Sequence, residues 1–367
     1  MPATRLLKNA ALYQGTHNRY DATTSQIVTT TSTGEQLVHN TLSTQDAVAI
    51  RDGLLKAHPL PAPAPSSCLL GMNGTPDWPS MITKGCQLVN PKLVRLDMAR
   101  MGSAALQDAA IRAVLAQGAT PLVLFSTWQG TSVPSQIRSF VDRYGPCLIE
   151  LGNETSYSYQ SGSSVATLKA NAAAYAQQVK ATKAALEGTT ARLLVQADGA
   201  LWAGSTWVDT MYATVPDLHV GIGGWTFHPY TAGREVEQGQ QLVDATAKHG
   251  APKTTPLYVT EWGTSSDDGR QLTPKETATG TIYGHPANQT YEQAAGVVTN
   301  VHGTLTTAFP QLAAFCVFES IDEAGPGATK NWGAYFGFML RGKNQAGVSV
   351  EGQPKPYYTD AVKALGA

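Results

Sequence analysis

Two glutamates each close a short apolar run. The first run is Cys147-Leu148-Ile149-Glu150-Leu151-Gly152-Asn153-Glu154, the second Leu257-Tyr258-Val259-Thr260-Glu261-Trp262-Gly263. Both read as buried strands that stop on Asn-Glu or Thr-Glu-Trp-Gly. Two carboxyl groups held at strand ends are what cleavage of a glycosidic bond requires. One gives a proton to the leaving oxygen, and the other attacks the anomeric carbon or helps water attack it. A single glutamate in such a place is as readily a solvated loop residue. Two at equivalent strand ends, among Asn, His, Tyr, Trp and Arg, point to chemistry.

The elements that would hold them recur along the chain. Apolar runs at Cys68–Met72, Leu93–Met98, Pro121–Phe125, Cys147–Leu151, Arg192–Ala197, His219–Phe227, Leu257–Thr260 and Leu312–Phe318 read as eight strands. Continuous apolar strands indicate a parallel sheet covered on both faces. Helical patterns lie between them. Ser103 precedes Leu106, Ala110 and Val114, with Gly118 closing; Pro134 opens a pattern closed by Gly145; Ser164 opens one closed by Gly188. Ser or Pro at the start and Gly past the end is the asymmetry of helix termini. Eight strands with interleaved helices define an α/β protein and predict a (β/α)8 TIM barrel. The rival, an open doubly wound sheet, would usually carry a Gly-rich phosphate loop after an early strand. Here the first strand runs instead into Asn73-Gly74-Thr75-Pro76-Asp77-Trp78.

In such a barrel the active site is built from the C-terminal ends of the strands. Those ends offer Arg95 and Asp97 on strand 2, Ser126, Thr127 and Trp128 on strand 3, and Asn153 and Glu154 on strand 4. Strand 5 offers Gln196 and Asp198; strand 6 Trp225, His228 and Tyr230; strand 7 Glu261 and Trp262; strand 8 Phe318 and Glu319. Glu154 and Glu261 then face each other across the mouth. A carboxyl gap of about 5 Å would imply retention of configuration, a wider one inversion.

The pattern resembles clan A glycoside hydrolases, nearest to families 5 and 39, over roughly residues 68–366. In that clan Asn-Glu ends strand 4 and a second Glu ends strand 7. The resemblance implies a retaining enzyme in which Glu154 is the acid/base and Glu261 the nucleophile. It assigns Asn153 to the sugar 2-hydroxyl, Arg95 to pairing with the nucleophile, and His228-Pro229-Tyr230 to the region after strand 6. Trp332-Gly333, Phe336-Gly337 and Lys355-Pro356-Tyr357 are similar to the end of many such enzymes. Strand 8 departs from the pattern: it reads Phe315-Cys316-Val317-Phe318-Glu319 where a Trp often floors the sugar site. Elementary electrostatics expects the same division of labour. Arg95 beside Glu261 favours its charged form, and Tyr230 is placed to donate to the same carboxylate. Glu154 must hold a proton near neutral pH, which predicts a partly desolvated place with fewer cations. His228 is expected to bond a sugar hydroxyl or to tune Glu154. Trp128 and Trp262 are the expected stacking faces for sugar rings, ahead of Trp78, Trp202 and Trp225.

Composition bounds the rest. The 367 residues carry a net charge of −1, 14% charged residues and 35 glycines, which fits a compact fold. No basic run suggests nucleic-acid binding, and no apolar stretch approaches the ~20 residues of a membrane span. Double displacement on a carbohydrate substrate calls for no metal or cofactor. Cys68, Cys86, Cys147 and Cys316 have neither zinc nor redox spacing, so buried thiols are expected, with a Cys68–Cys86 disulfide the alternative. The start, Met1-Pro2-Ala3-Thr4-Arg5, lacks the apolar core of a secretion signal, although action on an extracellular glycan is the expected setting. Residues 1–58 form a distinct N-terminal extension. It holds an expected hairpin around Ile27-Val28 and Leu37-Val38, then a helical pattern from Ser43 to Leu55. Residues 59–65 are a Pro-rich linker and 66–367 the barrel. Two other readings stand beside the hydrolase: a non-catalytic glycan-binding barrel in a larger assembly such as a phage tail, and a metal-dependent barrel hydrolase. The latter lacks a His-x-His on the first strand.

Overall fold

The computed structural model describes residues 68–367 apart from 146, 157–163, 198–205, 269–280, 283–284, 287–288, 327–331 and 345. In the N-terminal region it describes three strands. The chain divides into two compact units, Met1–Ala64 and Pro65–Ala367. In the first, His17–Asp21, Gln26–Thr30 and Gln36–His39 form an antiparallel sheet, with Val28 opposite Val38. The helical pattern from Ser43 and the Pro-rich stretch lie outside the described residues, as do Asp198 and Trp202.

The second unit is a closed barrel of eight parallel strands. They are β1 Leu69–Asn73, β2 Leu93–Asp97, β3 Thr120–Phe125, β4 Leu148–Leu151, β5 Arg192–Gln196, β6 Gly224–Phe227, β7 Leu257–Trp262 and β8 Leu312–Val317. Closure is made by Phe315 of β8 opposite Leu70 of β1. The run predicted over His219–Phe227 is strand only from Gly224; His219 to Gly223 form a turn and its exit, and Gly221 lies at φ 77°.

Among the described residues eight helices cover the barrel: α1 Pro79–Val89, α2 Ala104–Ala116, α3 Val133–Tyr144, α4 Val165–Ala185, α5 Thr206–Thr214, α6 Glu235–Ala247, α7 Tyr291–Ala308 and α8 Tyr358–Ala364. Their starts follow the sequence signals. Ser103 and Ser164 accept from Leu106 N and Thr167 N, and Thr290 with Gln293 forms a reciprocal capping box on α7.

Strand alternation sorts side chains between two cores. The outward set packs under the helices and includes Val94, Leu96, Val123, Ile149, Val195, Trp225, Phe227, Val259 and Phe315. The inward set forms a smaller core on the barrel axis: Leu93, Leu122, Leu194, Tyr258, Ala314 and Cys316. Space on the axis is tight. A Cβ on Gly71 would lie 2.3 Å from Cys316 Sγ, so β1 carries glycine where it passes β8. All four cysteines are buried free thiols, which excludes the Cys68–Cys86 disulfide. Burial pushes the Cys68 thiol up to about 12 and the Cys86 thiol up to about 11, so both stay protonated and inert.

Above this apolar plug the inward positions turn polar, and that layer carries the site.

Candidate active site

Arg95 is the hub. It continues the inward row of Leu93 and is 5% exposed. Its Nε donates to Glu150 Oε2 at 2.6 Å, Nη1 to Asn73 Oδ1 at 2.9 Å and to Glu261 Oε2 at 3.1 Å, and Nη2 to Asn153 Oδ1 at 2.7 Å. Burial alone would lower the pKa of this guanidinium. The charges of Glu150 and Glu261 outweigh that and raise it, so Arg95 is a fixed cation. Asn73 in turn donates to Thr260 O at 3.0 Å, which ties β1 to β7.

The second carboxylate on Arg95 comes from inside β4. Glu150 is fully buried, and its Oε1 accepts from Thr260 Oγ1 at 2.6 Å. A charge inside a strand is tolerable when it is paired and its lone pairs are filled, as they are here. Glu150, Thr260 and Asn73 are not among the strand-end residues that the sequence pattern singles out. The available signal was an acidic residue in the middle of an apolar strand, Leu148-Ile149-Glu150-Leu151.

Glu261 reaches the mouth because β7 is irregular. Val259 pairs with Phe315 and Trp262 with Val317, three residues against two. The extra residue is a bulge, which re-aims side chains. Thr260 and Glu261 therefore both face the axis, and Trp262 is turned outward onto Phe315, with ring centroids 5.8 Å apart. Glu261 Oε1 accepts from Tyr230 Oη at 2.9 Å while Oε2 takes Arg95. Burial and then the Glu261 charge push the Tyr230 phenol well above its usual value, so it remains a donor.

Glu154 is placed by a sharp turn after β4. Gly152 sits at φ 80°, where a Cβ would meet Thr155 Cγ2 at 2.3 Å, and Glu154 itself is at φ 44°. Thr155 N donates to Gln196 Oε1 at 3.1 Å, which fastens the turn to β5. Glu154 is 35% exposed and Glu261 15%. His228 lies between them: its Nδ1 is 3.4 Å from Glu154 Oε1 and 4.0 Å from Glu261 Oε2, and its Nε2 is 3.1 Å from Thr260 Oγ1.

Glu154 differs from expectation in its electrostatics. Burial pushes its carboxyl up, but the hydrogen bond and charge of His228, with the charge of Arg95 behind them, outweigh burial and hold it below the ordinary carboxylate range. The site is therefore not poor in cations around Glu154. The charge part of this pull belongs to the imidazolium form of His228, and the hydrogen-bond part needs a hydrogen on Nδ1.

Glu154, His228 and Glu261 each present one donor atom within 4.8 Å of the others. Glu261 already has a donor on each oxygen, Arg95 and Tyr230, and His228 Nε2 faces Thr260. The same geometry bounds the carboxyl gap: an oxygen of Glu154 lies within 4.8 Å of one on Glu261. Carboxyl groups about 5–5.5 Å apart suit retention and those about 6.5–9.5 Å apart suit inversion, and an oxygen approach this short falls toward the first.

The other expected contacts are less open. Trp262 is fully buried, and Trp128 is 7% exposed and packs edge-on against Tyr175 of α4 at 5.1 Å. Neither ring offers a face to a ligand. The bulge explains Trp262; Trp128 is drawn into the layer beneath α4. Trp225 is also core, against Tyr212. Trp78 is half-buried, with the Arg341 guanidinium over its ring at 5.4 Å. Asp97 accepts from Ser126 Oγ at 2.8 Å and caps the short helix after β2. Glu319 is 5% exposed; burial first, then the charge of Glu323, pushes its carboxyl up to about 8.

Comparison with known proteins adds the fold. No family model matches the sequence, and no curated protein matches it. Among solved structures the chain is similar to the catalytic core of xylanase A, at 12% identity and TM-score 0.52, over 82% of this chain and 98% of that one. It is likewise similar to a thermostable mutant of a xylanase from Cellvibrio japonicus, at 12% identity and TM-score 0.52, over 83% and 99%. The likeness shows the (β/α)8 barrel fold. It gives no support to families 5 and 39 in particular.

Proposed function

We propose that this protein is a retaining glycoside hydrolase acting on an oligo- or polysaccharide. The single observation that carries the reading is the Glu154–Glu261 pair, within 4.8 Å at the C-terminal mouth of a (β/α)8 barrel. In this reading Glu261 attacks the anomeric carbon, steered by Arg95 and Tyr230. Glu154 protonates the departing oxygen, then takes a proton from the water that releases the sugar. Asn153 is held by Arg95 at the mouth, exposed, where a sugar hydroxyl would meet it. The xylanase likeness makes β-linked plant cell-wall glycans, xylan first, the substrates to try.

The test is a panel of activated aryl glycosides and xylo-oligosaccharides with Glu261→Gln and Glu154→Ala. Glu261→Gln should abolish turnover. Glu154→Ala should lose about 10²–10⁴-fold on substrates whose leaving group needs protonation and recover with azide as a β-glycosyl azide. Full activity in either variant sinks the reading. Glycan binding without turnover by the folded wild type would favour a binding barrel instead.

A further inference from the structure

We propose that Thr260 and Glu150 are positioning residues that fix His228 with its hydrogen on Nε2, so that His228 Nδ1 and Glu154 share one proton; this rests on Glu154 as the acid/base.

The hydrogen inventory carries the proposal. Glu150, paired with Arg95 through Oε2, offers only acceptors, and its Oε1 takes the one hydrogen of Thr260 Oγ1 at 2.6 Å. His228 Nε2 lies 3.1 Å from that same hydroxyl, which has only lone pairs left on that side. Nε2 must therefore be the donor. Nδ1 is then the site that changes, and it faces Glu154 Oε1 at 3.4 Å. A bare Nδ1 and a bare carboxylate are both acceptors, so the contact is a hydrogen bond only with a proton between them. That proton lies on Glu154 beside a neutral imidazole, or on Nδ1 beside a carboxylate, and the two groups titrate as a unit. Among the described residues, charged and titratable groups around the ring include Glu261, whose Oε2 is 4.0 Å from Nδ1, Arg95 and Glu150 below it, and Tyr230 on Glu261.

In the first step the shared proton leaves Glu154 for the glycosidic oxygen, which keeps the electron pair of its broken bond to the anomeric carbon. Nδ1 then accepts no hydrogen and the Glu154 carboxylate is free to act as base. In the second step Glu154 takes a proton from water as its oxygen bonds the anomeric carbon and the bond to Glu261 breaks. The shared proton is restored.

The test is nitrogen-15 NMR of the histidine rings in the full chain, wild type against Thr260→Val and Thr260→Ser, with kcat/KM against pH for the same three. The wild type should show His228 with hydrogen on Nε2. Thr260→Val should admit the Nδ1–H tautomer and move the limb of the pH profile set by the pair by about one unit, and Thr260→Ser should restore both. Hydrogen on Nδ1 alone in the neutral wild-type ring overturns the proposal without any variant, and so does an unchanged tautomer in a folded Thr260→Val. The spectra do not depend on catalysis. Full turnover by Glu154→Gln would remove the acid/base role and leave the tautomer result standing.

Discussion

At the scale of single residues, the site is one network centred on a buried cation. Arg95 binds two carboxylates and two amides at once, and it touches Glu261 but not Glu154 among them. Glu261 shares Arg95 and Tyr230; Glu154 meets His228. Glu319 lies outside this network, and its Oε1 has no hydrogen-bond partner among the described residues. Its folded pKa, about 8, is above the ordinary 4.5. The neutral form is favoured on folding, so its contribution to stability is full below about pH 4.5 and is lost as pH rises toward 8. Glu319→Gln keeps the shape and removes the ionisation. The Tm of this variant minus that of the wild type should grow between pH 5 and pH 8; a constant difference would show that Glu319 is already ionised in the fold.

At the scale of elements, the strand ends were legible in the sequence because apolar runs and helix caps mark them independently. Glu154, Glu261, Arg95, His228 and Tyr230 come together as their positions in the pattern imply. What was hidden is local irregularity. A one-residue bulge in β7 leaves no trace in composition, yet it decides that Glu261 enters the mouth and that Trp262 does not. Glu150 and Thr260 were hidden for a related reason: their partners lie on other strands, and periodicity within one strand cannot show them. Strand packing is equally specific between β1 and β8. Gly71→Ala would press a methyl into Cys316 Sγ, an overpacking that should cost about 1–3 kcal/mol in urea melts. Adding Cys316→Ala should recover much of it. No recovery in the double variant would place the strain elsewhere.

At the scale of the whole molecule, the barrel separates stability from chemistry along its axis, an apolar plug below and a polar layer above. The long connection after β8 is anchored into that plan by one buried cation. Lys355 is fully buried and donates to Asp322 Oδ1 at 2.8 Å, to Ser266 O at 2.7 Å and to Tyr335 O at 3.0 Å, linking the segments that follow β7 and β8. Burial pushes Asp322 up and Lys355 down, and their contact opposes both shifts. Lys355→Met strands Asp322 without its cation and should cost about 3–5 kcal/mol. Chemical denaturation reads this directly; a loss under 1 kcal/mol would show that the pair is not an anchor.

Double displacement requires Glu154 and Glu261 to stand close together across the mouth. Proton NMR of the first sugar released from an aryl glycoside the wild type cleaves tests it most directly. Retention of the anomeric configuration is predicted by the 4.8 Å bound on the pair. Initial formation of the inverted anomer would contradict it.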